Sequence, residues 1–494
     1  MGPSEAKASR GAPPIKLPSG NIGRLLRQGF ALSCLLAPLL PGHAFAHASD
    51  RGHVLLLPTG HYIVGGALAV AASFFVLFFV WAEALEKVWA ARLRLGGISG
   101  EALRLPLSLI SFVVLAVLVA AGLFGSRDPL SNPLPLTIWT LLWVGLTLIQ
   151  GLFGNFWAWI NPWYGPWRIV SAVLGRASLL RLPALIGMWP AMALFLDFAW
   201  FELIYPAPDD PGRLAWAVTI YWTFSFVMML IFGFEGWSRR GEFLSVFFGM
   251  VARFGILVRT RSKDGNGELF LCLPGAKLAG TRALPLSGTL FLLFALASVS
   301  FDGLSRTFFW FGLNGLNPLE YPGRTALIGT NSVGLIAACA ALAAVFLLCV
   351  LAGERLVGSR HALAGVAGTF VWSIVPIALA YHFSHYLAAL LVNGQYALVA
   401  LSDPFSLGWN LFGTAHMPVM AAIAAGSDAA WTIWNAQAAA IVLGHIIAVL
   451  AAHRLAFRLH GTARAAFLSQ LPLTVLMIAY TVLGLWLLST PTAA

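Results

Sequence analysis

Charge is what this sequence has least of: 10% of its 494 residues are Asp, Glu, Lys or Arg, against roughly 25% in soluble domains. With 59% hydrophobic residues and a mean hydropathy of +0.83, most of its surface needs a solvent other than water, which excludes a soluble globular protein. Cysteine is sparse too. The four present, Cys34, Cys272, Cys339 and Cys349, form no CxxC pair, so neither a disulfide framework nor a thiolate zinc site is indicated. Nucleotide-binding glycine loops, a flavin fingerprint, a CxxCH haem attachment and a GxSxG nucleophile turn are missing as well. No motif for cofactor-driven or serine-hydrolase chemistry remains.

What the chain does have is apolar runs of about 20 residues, the length a helix needs to cross a bilayer. Ten can be traced: about Tyr62 to Ala82, Leu105 to Phe124, Leu136 to Phe153, Leu182 to Phe201, Ala215 to Phe234, Leu284 to Ser300, Val333 to Leu351, Val366 to Val392, Gln437 to Leu455 and Leu471 to Leu488. Ahead of them, residues 1–46 read as a signal peptide. Lys16, Arg24 and Arg27 precede an apolar stretch from Phe30 to Leu40 that is too short to span, and Ala44-Phe45-Ala46 is a small-x-small cleavage signal. An uncleaved anchor is the alternative. The mature chain, 47–494, is expected to be an all-α polytopic transmembrane bundle with its N-terminus outside and, after ten spans, its C-terminus outside.

The basic residues test this orientation. Twenty Lys and Arg fall in loops on the expected inner side, eight of them in the loop 236–283, against five on the outer side of the mature chain. The bias agrees with basic loops facing the cytoplasm and places the chain in a bacterial inner membrane, with periplasmic termini. It also accounts for the net charge of +11 without nucleic acid, since the charges are spread over five loops. Within the inner loop, Gly241 to Val258 reads as an interfacial amphipathic helix before a polar turn at Ser262 to Gly267. Two long aromatic segments, 301–330 and 393–431, face outward. They are expected to cap the bundle mouth or to anchor it at the membrane interface.

Ionisable groups at membrane depth are costly unless paired or hydrated, so they mark the places to look for chemistry. His382 and His385, three residues apart, share one helix face at a spacing that suits chelation of one metal ion. His416 in the outer loop and His61 at the start of the first span are further candidate ligands, although His61 also suits a merely interfacial place. His445 is near mid-membrane, where an interhelical hydrogen bond is the simpler expectation. Asp197, Glu202, Asp302 and Asp403 lie toward the outer side as metal ligands or partners for imidazoles, with Asp302 and Asp403 as the candidate catalytic carboxylates. Glu83, Glu86 and Glu235 lie at inner helix ends, where salt bridges to Lys87 or Arg239 are expected. After cleavage, His47 with Asp50 and His53 would form an amino-terminal chelator suited to copper-like ions; a disordered stub is the alternative.

The run His53 to Tyr62, the turn Asn161-Pro162-Trp163-Tyr164, Phe301-Asp302-Gly303, Tyr381 to Tyr386, Asp403-Pro404-Phe405 and Gly413-Thr414 together resemble a family of polytopic bacterial membrane proteins called fenitrothion hydrolases. The resemblance runs over nearly the whole mature chain. It implies hydrolysis of a phosphorothioate triester to 3-methyl-4-nitrophenol and dimethyl thiophosphate. The residues allow a metal-assisted route, in which outer histidines hold a divalent metal whose bound water attacks phosphorus. A lipophilic substrate would reach such a site from the bilayer. The second expectation, from another class, is a copper-like metal-handling membrane protein or transporter.

Overall fold

Hydrocarbon offers the backbone no hydrogen-bond partners, so a chain of this composition closes its amide bonds within each segment, as helices do. The computed structural model describes residues 59–490 and 492, apart from 78, 80–81, 99–100, 262–266, 318–319, 321–322, 421–422 and 424–426. The expected signal peptide 1–46, its cleavage signal, the His47, Asp50 and His53 group and most of the polar turn lie outside the described residues.

Among the described residues, ten helices are long and apolar enough to cross a membrane, and the chain is an all-α multi-pass bundle. We label its main helices α1 (Thr59–Leu77), α2 (Glu101–Phe124), α3 (Pro133–Leu152), α4 (Trp189–Leu203), α5 (Pro211–Phe232), a short α6 (Phe243–Val251), α7 (Leu286–Ser305), α8 (Gly323–Leu356), α9 (Ile374–Ser402), α10 (Ser427–His460) and α11 (Ala463–Ser489). The apolar windows of α7 and of the span ending in α9 are 78% and 72% buried, against 17–22% in α1, α2, α4 and α5. The first pair is therefore the centre of the bundle and the others are its rim. Val64, Leu68 and Phe75 of α1 and Ile110, Val113 and Val117 of α2 are exposed, which is the face a rim helix offers to lipid.

Close packing depends on small residues where helices cross. At Gly444 of α10, an added Cβ would lie 2.5 Å from the Ala380 Cβ and 3.0 Å from the Pro376 carbonyl of α9. Helix ends are capped by side chains. Asp210 accepts the Arg213 amide at 2.8 Å, with Pro211 opening α5, and Thr462 caps α11; both leave fewer orphan amides.

The loop segment 236–283 has more structure than its polarity suggests. Strands β1 (Arg92–Ile98), β2 (Leu257–Arg261) and β3 (Gly267–Cys272) form an antiparallel sheet in the order β1-β3-β2, with Arg92 opposite Cys272 and Leu257 opposite Leu271. This sheet marks one end of the bundle, called here the sheet end. The expected interfacial helix is not amphipathic at a surface: α6 buries seven of its nine residues among α3, α4 and α9. Glu242 makes this possible. Its carboxylate accepts the Leu244 and Ser245 amides, each at 2.8 Å, and the Tyr221 hydroxyl, while burial pushes its pKa up.

At the opposite end, the two long segments are shorter than expected. α7 runs on through Phe301 and Asp302 to Ser305, Phe308–Leu313 is a short helix, and α8 begins at Gly323. Similarly, α9 continues to Ser402 and α10 starts at Ser427. Between them, Leu407, Leu411 and Phe412 are exposed, which favours interfacial anchoring over a packed lid.

Glu86 pairs across the sequence, not with Lys87: its carboxylate meets Arg454 at 2.9 Å and Arg458 at 3.1 Å. The Arg454 hydrogen bond and charge hold the Glu86 pKa below its ordinary 4.5. A carboxyl lowered in the folded state stabilises above that ordinary value and loses the contribution as pH falls through the folded one. Thermal unfolding between pH 7 and 3 is expected to show a shallower acid limb in Glu86→Gln; an unchanged limb would contradict the pairing. Gly444→Val is expected to cost about 1–3 kcal/mol by overpacking, read as a lower melting temperature in detergent. Gly394→Ala, where a Cβ meets nothing within 4 Å, should show no such loss.

Candidate active site

The last turn of α7 carries a carboxylate into the interior at the end opposite the sheet. Asp302 is 2% exposed, and helical geometry sets Arg306 one turn further along. Arg306 donates to Asp302 Oδ1 at 2.8 Å, and the Asp302 charge raises the Arg306 pKa. The other oxygen, Oδ2, lies 2.6 Å from His385 Nε2 on α9. With the carboxylate accepting, Nε2 carries the proton, and in the neutral ring Nδ1 is then the acceptor.

Tyr386 extends the cluster. Its hydroxyl is 3.3 Å from both Asp302 Oδ2 and Glu202 Oε1, and its ring packs edge-on against His385 and His382. Arg324, at the start of α8, donates to the Glu202 and Tyr205 carbonyls at 2.8 and 3.3 Å. Four helices, α4, α7, α8 and α9, are thereby joined around two carboxylates.

An apolar cavity of about 270 Å³ opens beside this cluster between α7, α8 and α11, lined among others by Ser300, Phe301, Leu304, Leu342, Tyr480 and Leu487. Gly303 sits between cavity and imidazole. A Cβ there would lie 3.6 Å from Leu487 Cδ1, which lines the cavity, and 3.9 Å from His385 Nδ1. The bare backbone at this position leaves His385 and the cavity wall at Leu487 close to one another, although His385 is not itself among the lining residues. An imidazole oriented by a carboxylate, with its free nitrogen beside a cavity, has the parts of a general base.

The expected metal ligands do not gather. His382 shares a helix face with His385 but turns to another partner: it is buried, and its Nε2 donates to the Trp143 carbonyl at 2.9 Å. Trp143 belongs to a π-helical stretch, Leu136–Leu146, inside α3; such stretches recur at functional sites. His61 and His416 are exposed, and no hydrogen bond or ion pair joins either to Asp302 or His385 among the described residues. Asp403, the second candidate catalytic carboxylate, holds a turn, accepting the Leu407 and Gly408 amides at 2.9 and 2.8 Å. Asp197 is exposed on α4. His445 bonds within its own helix, Nδ1 donating to the Ile441 carbonyl at 2.8 Å, not to a neighbouring helix. Among the described residues, the group of three ligand-type side chains close enough to hold an ion is Glu354, His361 and His460, at the sheet end.

Comparisons of the chain with family models, with curated proteins and with solved structures return no match. The site is therefore read from its own geometry. Sequence reasoning named Asp302, His385 and Glu202 but missed Arg306 and Arg324 as their partners. The signal was present in the four-residue spacing of Asp302 and Arg306, which counts only if the helix continues past Ser300.

The Asp302–Arg306 pair makes a measurable claim. In a cycle of Asp302→Asn, Arg306→Gln and the double variant, the coupling energy in unfolding is expected to be about 1–3 kcal/mol. Additive effects would mean that the two charges do not meet.

Proposed function

We propose that the protein is a membrane-bound hydrolase of lipophilic phosphorothioate triesters of the fenitrothion type, with Asp302 and His385 activating the attacking water. The observation that carries this reading is the His385 ring, held by Asp302, lying next to Gly303, whose other neighbour is the cavity-lining Leu487. In the proposed step, a water oxygen forms a bond to phosphorus while its proton passes to His385 Nδ1, and the bond from phosphorus to the aryl oxygen breaks. The products are 3-methyl-4-nitrophenolate and dimethyl thiophosphate; one proton is released afterwards from His385 and the second, left on the new P–OH, is lost to water.

Asp302 would stabilise the imidazolium that forms. The N–H groups of Arg306 not used by Asp302 would meet negative charge building on the phosphoryl group. Nitrophenolate is a good leaving group and needs no general acid. The divalent metal of the metal-assisted route has no step here, because His61, His382, His385 and His416 form no common ligand set. The cavity is close to the lower end of the roughly 300–1,000 Å³ usual for small-molecule sites, which suits a compact aryl ester entering from lipid. In this reading the Asp302 end faces the periplasm of a bacterial inner membrane and the sheet end faces the cytoplasm.

The alternative of metal-ion handling or transport has one supporting observation. Buried polar side chains continue from Tyr480 and His445 toward His453 and Gln470 on α10 and α11, where a permeation path would need them.

Release of yellow nitrophenolate by membranes containing the protein separates the two. His385→Ala is expected to lower the rate about 10²–10⁴-fold, the usual worth of a general base, and Asp302→Asn to lower it as well. Gly303→Leu, which fills the space between cavity and imidazole, should raise KM. A His385→Ala variant with the unaltered rate would sink the hydrolase mechanism, whereas metal uptake by proteoliposomes without any nitrophenolate release would favour transport.

A further inference from the structure

At the sheet end, the last turns of α8 and α10 come close enough for their side chains to meet, and each brings a ligand-type residue. Glu354 comes from α8 and His460 from α10, with side chains only 7% and 5% exposed. His361 follows in the connection to the next span and is half-exposed, with its Nδ1 3.6 Å from Glu354 Oε2. The ligand atoms of all three lie within 4.8 Å of one another.

How Glu354 and His460 fail to pair is the informative part. His460 Nε2 is 3.0 Å from Glu354 Oε1, yet the two do not meet as donor and acceptor. Nε2 and both Glu354 oxygens are buried without a hydrogen-bond partner. No Lys or Arg pairs with Glu354 among the described residues, and Arg355 and Arg360 beside it are exposed. A buried carboxylate with no hydrogen-bond donor and no Lys or Arg beside it is expensive, and its two oxygens converge with His460 Nε2 and His361 Nδ1. Two helix C-termini, each with partial negative charge, end at the same place. Every one of these features favours a cation held between the three side chains.

We propose that Glu354, His361 and His460 form a binding site for one divalent transition-metal ion. Two imidazole nitrogens and one carboxylate oxygen are a donor set that suits Zn²⁺ and its neighbours, with a fourth position left for water. The ion fastens the end of α8, the connection after it and the end of α10 to one another. Ser359 now holds the His361 nitrogen nearest Glu354: its hydroxyl accepts the His361 amide at 3.1 Å and lies 3.0 Å from the ring Nδ1, so it gives up the ring contact when the ion binds there. Since His361 is the half-exposed member, the ion enters and leaves on its side. This site is separate from Asp302 and His385 and stands whether or not those residues hydrolyse anything.

The test uses the purified full-length protein in detergent, loaded with Zn²⁺ alone and dialysed. Metal content is measured by mass spectrometry, and affinity by competition with a chromogenic chelator. The unaltered protein and Asp302→Asn are expected to retain Zn²⁺ alike. His361→Ala, a half-exposed position that should not disturb folding, is expected to bind at least about tenfold more weakly, as is His460→Ala. Because binding to the folded state raises its stability, Zn²⁺ should also raise the melting temperature of the unaltered protein and leave that of His361→Ala unmoved. Absence of Zn²⁺ uptake by the unaltered protein, or equal affinity in His361→Ala and His460→Ala, overturns the proposal and leaves Glu354 and His460 as a simple ion pair.

Discussion

A carboxylate inside an apolar bundle stays only where partners reach it from more than one helix, and Asp302 is where they do. Arg306 arrives from the next turn of the same helix, His385 and Tyr386 from α9, and Glu202 from α4 through the Tyr386 hydroxyl. These contacts fix the rotation of α7 relative to α9, the two helices at the centre of the bundle. The same rotation puts Ser300, Phe301 and Leu304 along the apolar cavity. Polar pairing and cavity shape are therefore two results of one helix placement.

The spans were legible in the sequence because membrane crossing is a matter of length and composition, both local properties. The details at their ends were not, because they depend on partners far away in the chain. Asp302 looks like the first residue of a loop until His385 and Arg306 are there to satisfy it, and only then is it reasonable for α7 to continue to Ser305. The sheet joins 92–98 to 267–272 across several spans, and the short alternation Arg92-Leu93-Arg94-Leu95 says nothing of where its partner lies. Between Gly241 and Val258, four phenylalanines and Leu257 beside Arg253 suggested a surface helix; the helix stops at Val251, and with Glu242 as its cap it is buried instead.

The histidines show the same limit at the level of a single side chain. Spacing placed His382 and His385 on one face correctly, yet a shared face is not a shared target. The Trp143 carbonyl, on α3, draws one ring away, while Asp302 on α7 holds the other. Conversely, Glu354, His361 and His460 are spread over more than 100 positions and look like scattered basic-side residues in the sequence. Only the parallel endings of α8 and α10 bring them together, and no periodicity could have announced it.

The two helices that end there are also the longest, at 34 residues each. At 1.5 Å per residue such a helix extends about 51 Å, well beyond a hydrocarbon layer of roughly 30 Å. An excess of this size is taken up by leaning in the bilayer or by projecting past it. The bundle consequently carries its own gauge of membrane thickness: in a thinner bilayer α8 and α10 must lean further or protrude further, and the strain of that mismatch falls on the turns where they stop.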